Sequence, residues 1–341
     1  MNQDESDKVI ADFIQVIIDA SNYLFSLNHS QPYSYEGYVS GWLRYHYPLQ
    51  FLTVAMNINQ GKEEKTAALT AYAHKVGIKI KSPKFRHSRS DYFCDVDENT
   101  IYKGLGSIKY MSADVAEALY GMRDMQFKNF IDVLFAIQQL EVRPDARQLD
   151  ILIKIGYFAE FGPAKALLLG VEIFNKFSKC KTIKLDKWAE MGYNVDMLEP
   201  YAGKLTEKTA SQLDNRGIIL SILRSMKMPK TTIVDKLKWQ IELLGYVDGS
   251  DPNSDPNDWL VLDVKTTGYG TVYCTLYNLC YGAERTYRAN KKFWTNHQLS
   301  KGDAIRAVLQ EKNKMKKDEN GEWITLNEKI VEMKCWKKLE V

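Results

Sequence analysis

Long apolar runs are missing from this 341-residue chain, and no stretch approaches the ~18 residues that a membrane-spanning helix needs. The opening, MNQDESDKVI, is acidic and polar, unlike a secretory signal. Cysteine is scarce: the 5 residues Cys94, Cys180, Cys274, Cys280 and Cys335 form no C-x-x-C pair. An odd, scattered set argues for reduced thiols and against a disulfide framework or structural zinc. Together these absences lead us to expect a cytoplasmic protein with no membrane partner. The 5 histidines form no HExxH pair, and neither a G-x-S-x-G elbow nor a P-loop occurs. An excess of one charge is also missing. Lys and Arg number 46 against 43 Asp and Glu, a net charge of +3, so any nucleic-acid surface must be local.

What is present is an ordinary globular composition, 45% hydrophobic and 26% charged, with aromatics at 12%. The length suggests two or three domains. Val9, Ile10, Phe13, Ile14, Ile17 and Ile18 make one apolar helical stripe within residues 8–25. Pro48 breaks an aromatic helical stretch over 33–56, and Gly77 closes a helix over 62–77. IKIKSPKFRHSRSDYF reads as extended and basic, and YFCDVDENTIYKGL as a small hairpin. Short helices follow from Gly104 to Gly162, with Ser112 a good N-cap. Residues 163–245 read as helical with a softer stretch near GYNVDMLEPYAGKLTEKT. A solvated linker, 246–258, then separates this part from five strand-like runs with a short helical patch, KKFWTNHQL, between the third and fourth. The expectation is a multidomain α+β chain: a mostly α-helical N-terminal part, then an all-β OB-type barrel over 259–341.

Clustered carboxylates for a divalent metal are hard to find. Asp95 and Asp97 could share a strand face, but Glu98 and Asn99 continue them, and a polar hairpin tip is the better reading. Asp251, Asp255 and Asp258 sit among prolines and read as linker. GYGTV at 268–272 has no following helix and reads as a β-turn. Two features point to nucleic acid. One is the basic run Lys79, Lys81, Lys84, Arg86, His87 and Arg89, interleaved with Phe85 and Tyr92, against which a plain solvated loop weighs equally. The other is the ring content of the last domain, Tyr269, Tyr273, Tyr277, Tyr281, Tyr287, Phe293, Trp294 and Trp323, about half of which must fill the barrel. Tyr287 and Trp294 are taken as base-stacking candidates. Lys314 and Lys316, in the loop EKNKMKKDENGE, either clamp a backbone or sit on a plain exposed hairpin.

LFSLNHSQPYSYEGYVSGWLRYHYPLQFLTVAMN resembles the fingers region of the bacterial DNA polymerase III alpha subunit, F-N-x-S-H-A followed by L-K-x-H-Y-P-x-E-F, with Phe25, His29, Leu43, His46, Tyr47, Pro48 and Phe51 in step. Ser26, Asn28 and Ser30 depart from it. GIKIKSPKFRHS is similar to the family's G-I-x-V-x-P-P-D-I-N-x-S, and IYKGLGSIKYMSADVAEAL to its helix-hairpin-helix. DILIKIGYFAEFG and KLKWQIELLGYV resemble the steps that follow, in the same order. The resemblance implies a fingers-like region over 1–100, tandem helix-hairpin-helix over 101–165 and a helical connector over 166–245. It implies DNA contacts by His29, Lys81, Lys84, Arg86 and Arg89, and by Lys109 and Ser112 at the hairpin. The family hairpin is G-h-G; here Tyr110-Met111-Ser112 puts side chains where bare backbone would approach a phosphate.

In that family the catalytic aspartates lie in a palm that precedes the fingers, a point after which this chain begins. The resemblance therefore implies a DNA-binding portion of a replicative nucleotidyltransferase, inactive alone and without a cofactor of its own, whereas a complete polymerase would use magnesium. Its implied partners are primer-template and single-stranded DNA, a palm-bearing polypeptide and the sliding clamp, the last through a loose match at Gln240–Leu244. The alternatives are a stand-alone single-stranded-DNA-binding protein and an interaction module or decoy for replisome partners.

Overall fold

The computed structural model describes residues 3–21, 27–244, 247, 249–317 and 323–339. In chain order the elements are α1 (Gln3–Ser21), α2 (Leu27–His46), α3 (Pro48–Ile58), α4 (Glu63–Lys75), β1 (Lys79–Lys81), β2 (Phe93–Asp95), β3 (Thr100–Tyr102), α5 (Ala113–Gly121), α6 (Phe130–Gln138), α7 (Ala146–Lys154) and α8 (Ala164–Phe177). There follow β4 (Thr182–Lys184), α9 (Leu185–Glu190), β5 (Ala202–Leu205), β6 (Thr209–Leu213), α10 (Asn215–Ser225) and α11 (Ile233–Leu244). The last are β7 (Asp258–Thr266), β8 (Val272–Asn278), β9 (Glu284–Ala289), α12 (Lys291–Trp294), β10 (Ala304–Lys317) and β11 (Trp323–Lys338). They divide into two compact units, Met1–Lys79 with Val96–Thr100, and Ile80–Asp95 with Ile101–Val341.

In the first unit Pro48 occupies the first turn of α3, where its missing N–H costs nothing, and α2 stops at His46. α4 ends in a Schellman cap: Gly77 N–H donates to the His74 carbonyl (3.1 Å) and Ile78 N–H to that of Ala73 (2.9 Å), with Gly77 at φ +78°. Leu49, Leu52, Met56, Ala73 and Ile78 are buried. The apolar stripe of α1 is not: Phe13 is 65% and Ile14 49% exposed.

The second unit holds a helical core and a barrel. The basic segment after β1 is not simply extended. It turns at Lys84–His87 and drives Phe85 into the helical core, fully buried against Tyr157, Phe158 and Phe161 at ring separations of 5.7, 5.2 and 5.9 Å. Asp145 and Gln148 form a reciprocal capping box on α7, and Asn129 caps α6. Residues 163–245 are less helical than their periodicity suggests, because a three-stranded antiparallel sheet, β4-β6-β5, lies among the helices. These strands have 3 to 5 residues each, too short to display a period-2 pattern.

The barrel closes in the order β10-β11-β9-β8-β7, with β9 parallel to β11 and the other pairs antiparallel. With α12 between β9 and β10, this is an OB-type barrel. The stretch before it is structured: the Asp251 and Asp255 carboxylates accept from the N–H groups of Asn253 (3.0 Å) and Asn257 (2.9 Å), and Asp258 holds Arg306 at 2.7 Å. Val234 and Leu237 of α11 cover one end of the outer barrel face, over Leu260, Tyr277 and Leu279.

Candidate nucleic-acid interface

The hairpin between the short turn Leu105–Ser107 and α5 keeps the shape that glycine would give it. Tyr110 stands at φ +71°, a conformation uncommon for a residue with a Cβ. Three contacts hold it there. Gln148 Nε2 donates to the Tyr110 carbonyl at 2.8 Å, the Arg147 guanidinium lies 3.4 Å from the ring centroid, and the Lys109 ammonium lies 5.2 Å from it. Hydrogen bonds from Lys109 and Arg147 pull the Tyr110 hydroxyl below its ordinary pKa. Neither cation has an acidic partner among the described residues, and both are exposed. Ser112 caps α5, its hydroxyl accepting from Val115 N–H at 3.4 Å. The hairpin thus offers two exposed cations that meet a tyrosine and no carboxylate among the described residues, and a helix start, with Asp114 in the first turn as a partial counterweight. Arg147 escaped the sequence reading because it lies on a different helix, α7; the capping box that aims it was legible as Asp145-x-x-Gln148.

The basic run separates into different environments. Arg86 is committed internally: Nε donates to Glu160 at 2.9 Å, one terminal nitrogen donates to the carbonyls of Arg123 and Met125, both at 2.7 Å, and the guanidinium lies over the rings of Phe85 and Phe127. These bonds engage Nε and one terminal nitrogen and give Arg86 a structural role in the helical core. Arg89 lies exposed over the Tyr120 ring, 4.3 Å from its centroid. Lys81 sits by the Tyr102 ring, and Lys84 is exposed. In the first unit, His29 is exposed on α2.

On the barrel, two of the rings chosen as stacking platforms face the wrong way. Tyr287 opposes buried Cys274 and meets Trp259 edge-on at 5.6 Å. Trp294 packs on Trp336 at 5.9 Å. Both are partly buried and pack against the barrel core. Tyr273 and Tyr277 share the outer face, as their period requires, but α11 covers Tyr277. Tyr273 remains 41% exposed, cross-strand from Arg288, and Tyr269 in the β7–β8 turn is 96% exposed. Lys314 is paired with Glu328 at 2.7 Å, so it belongs to an ion-paired ladder with Glu311–Lys329 instead of a free clamp. The side chains of Lys316 and Trp323 lie outside the described residues.

The clamp-peptide match is corrected too. Gln240 is buried within α11, and Leu243 and Leu244 pack on the helical core, whereas a docking peptide must be accessible. Among the described residues no group of three or more His, Cys, Asp or Glu side chains comes together. No described helix is long and apolar enough to cross a membrane.

Residues 77–168 match the helix-hairpin-helix motif family. The chain is similar to DNA polymerase III subunit alpha of Ureaplasma parvum serovar 3, 23% identical over 251 residues, covering 71% of this chain and 25% of that protein. It is similar to the same subunit of Escherichia coli K12, at 27% over 151 residues (44% and 13%), and of Staphylococcus aureus Mu50, at 31% over 157 residues (45% and 14%). The chain therefore spans a quarter or less of the length of these relatives.

Proposed function

We propose that this chain is a DNA-contacting portion of a replicative polymerase of the alpha-subunit kind, and that it does not polymerise alone. The observation that carries this reading is the hairpin at 108–112, where Lys109 and Arg147 stand exposed, with no acidic partner among the described residues, around a backbone turn of glycine-like conformation. Such a turn presents N–H groups and cations to one phosphate run. The open barrel face around Tyr273 and Arg288 adds a stacking ring and a cation suited to single strands. The unburied apolar stripe of α1 supports a protein partner: contiguous exposed apolar surface marks an interaction site, and a palm-bearing polypeptide is the partner the similarity suggests. Magnesium, which a complete polymerase of that kind would use, would be held by that partner.

The test is anisotropy of labelled single-stranded DNA and of a primed template across a salt series. Binding of the primed template should fall as salt rises, and Lys109→Ala should lower the slope of log K against log salt by ~0.9. No binding to either DNA at low salt overturns the reading. Ile14→Glu should leave folding unchanged while abolishing rescue of primer extension by a palm-bearing fragment. A second reading, a stand-alone single-strand binder, is favoured by the exposure of Tyr273, and tighter binding of single strands than of primed template would select it.

A further inference from the structure

The turn that carries Lys109 is one its own residues do not favour. Met111 N–H donates to the Ile108 carbonyl at 3.1 Å, and Tyr110, the third residue of the four, stands at φ +71°. Glycine is the usual occupant of that place, because it meets a positive φ without steric cost. A tyrosine there persists only where its surroundings hold it. Gln148, 38 residues on in sequence and in the first turn of α7, supplies the hold. Its Nε2 donates to the Tyr110 carbonyl at 2.8 Å, and its Oε1 accepts from Asp145 N–H at 3.0 Å. A backbone carbonyl only accepts and a backbone N–H only donates, so the side chain between them must offer a donor and an acceptor at once. A carboxamide meets both demands; a carboxylate or an ammonium meets one. The backbone N–H of Gln148 donates in turn to Asp145 Oδ1 at 2.7 Å, which anchors the residue to its own helix start. The preceding residue, Arg147, lies 3.4 Å from the Tyr110 ring centroid and hydrogen-bonds its hydroxyl. Consecutive residues of α7 therefore grip Tyr110 at its carbonyl and at its hydroxyl.

We propose that Gln148 is a positioning residue for the hairpin: acting through the Tyr110 carbonyl, it holds the turn in its glycine-like conformation and so keeps Lys109 and Arg147 together around one ring. The proposal rests on the reading of this hairpin as a DNA contact. It makes the cap of α7 and the shape of the hairpin depend on one side chain. It also makes that side chain conditional, because a glycine at position 110 would take up the same conformation without help.

The test is hydrogen exchange at the Met111 amide of the full chain without DNA, alongside primed-template anisotropy across a salt series. Gln148→Met should speed exchange at Met111 about tenfold beyond any change in the core of α7. It should weaken primed-template binding about fivefold at an unchanged salt slope, because both cations remain. Gln148→Glu keeps the acceptor for Asp145 N–H and loses the donor, so it should expose Met111 as Gln148→Met does while α7 stays capped. Asp145→Ala removes the cap and leaves the bond to Tyr110; it should loosen the start of α7 without exposing Met111 ahead of it. In a Tyr110→Gly background, Gln148→Met should change Met111 exchange and DNA affinity by less than about twofold. Wild-type exchange at Met111 in both Gln148 variants overturns the proposal, as does an equal loss of protection in the Tyr110→Gly background. Lost protection with undiminished DNA binding also overturns it, by removing the hairpin from the DNA contact. The hold on Tyr110 is read by exchange and the DNA contact by anisotropy, so the failure of one is distinguishable from failure of the other.

Discussion

Arg86→Ala separates two accounts of the same basic side chain. If Arg86 touches phosphate, its loss weakens DNA binding; if it holds the helical core together, its loss weakens the fold. Hydrogen bonds to a charged group contribute ~1.5–3 kcal/mol each. Of the two carbonyl acceptors, that of Met125 belongs to an exposed residue, so the low end applies to it. The Glu160 pair, with side chains 24% and 30% exposed, adds ~0.2–1 kcal/mol. The contacts with the Phe85 and Phe127 rings are worth ~0.5–1 kcal/mol. Arg86 sits at φ +72°, a strained setting for any residue with a Cβ, alanine included. Water reaching the freed carbonyls, one of them on an exposed residue, offsets part of these contributions, and the net loss expected for Arg86→Ala is ~2–4 kcal/mol. Arg86→Gly should lose ~1 kcal/mol less, because glycine relieves the backbone strain that alanine keeps. Arg86→Lys should fall between wild type and Arg86→Ala, since a single ammonium cannot span Glu160 and two carbonyls. The assay is urea unfolding with hydrogen exchange read in α7 and α8, alongside the salt slope of DNA binding measured well below the transition. An unchanged unfolding midpoint combined with a slope reduced by ~0.9 would refute the structural role.

Three further outcomes are expected. Tyr273→Ala should weaken single-strand binding by ~1–3 kcal/mol in anisotropy, while Trp294→Ala should lower barrel stability by up to ~3–5 kcal/mol in thermal unfolding with little direct effect on affinity; a reversal of these two effects would mean that the barrel faces are assigned the wrong way. A Cβ at Gly104 would lie 2.2 Å from the Ser90 carbonyl oxygen, so Gly104→Ala must push apart the backbone that carries the Leu105–Arg89 bond (2.8 Å), and the unfolding midpoint should fall by the equivalent of ~1–3 kcal/mol. Burial lowers the Lys103 pKa from 10.5 to about 8, so between those values the folded chain has released a proton that the unfolded chain still holds; stability should rise with pH across that window. The difference between wild type and Lys103→Met isolates this group, and a flat difference from pH 8 to 10.5 would count against its burial.

The barrel and the helix ends were legible because their signals are local. The short apolar, β-prone runs of β7 and β8, Pro48 at the start of α3, Gly77 after α4 and Ser112 before α5 each act within a few residues. What the chain does not declare locally is phase and commitment. Period two says that Tyr273 and Tyr277 share a face, but it takes the pairing of Tyr287 with Cys274 to say that Tyr287 looks inward, and the placement of α11 to say that Tyr277 is covered. Commitment is harder still. Arg86 and Lys109 are the same kind of charge in the sequence, yet Arg86 meets a carboxylate 74 residues away, while Lys109 meets an aromatic ring and lies exposed. A run of basic residues therefore counts candidates, and tertiary pairing decides which remain. By that rule the densest basic run supplies less free charge than its composition implies. The hairpin instead gathers two exposed cations, Lys109 beside it and Arg147 from α7, around Tyr110, with no acidic partner among the described residues.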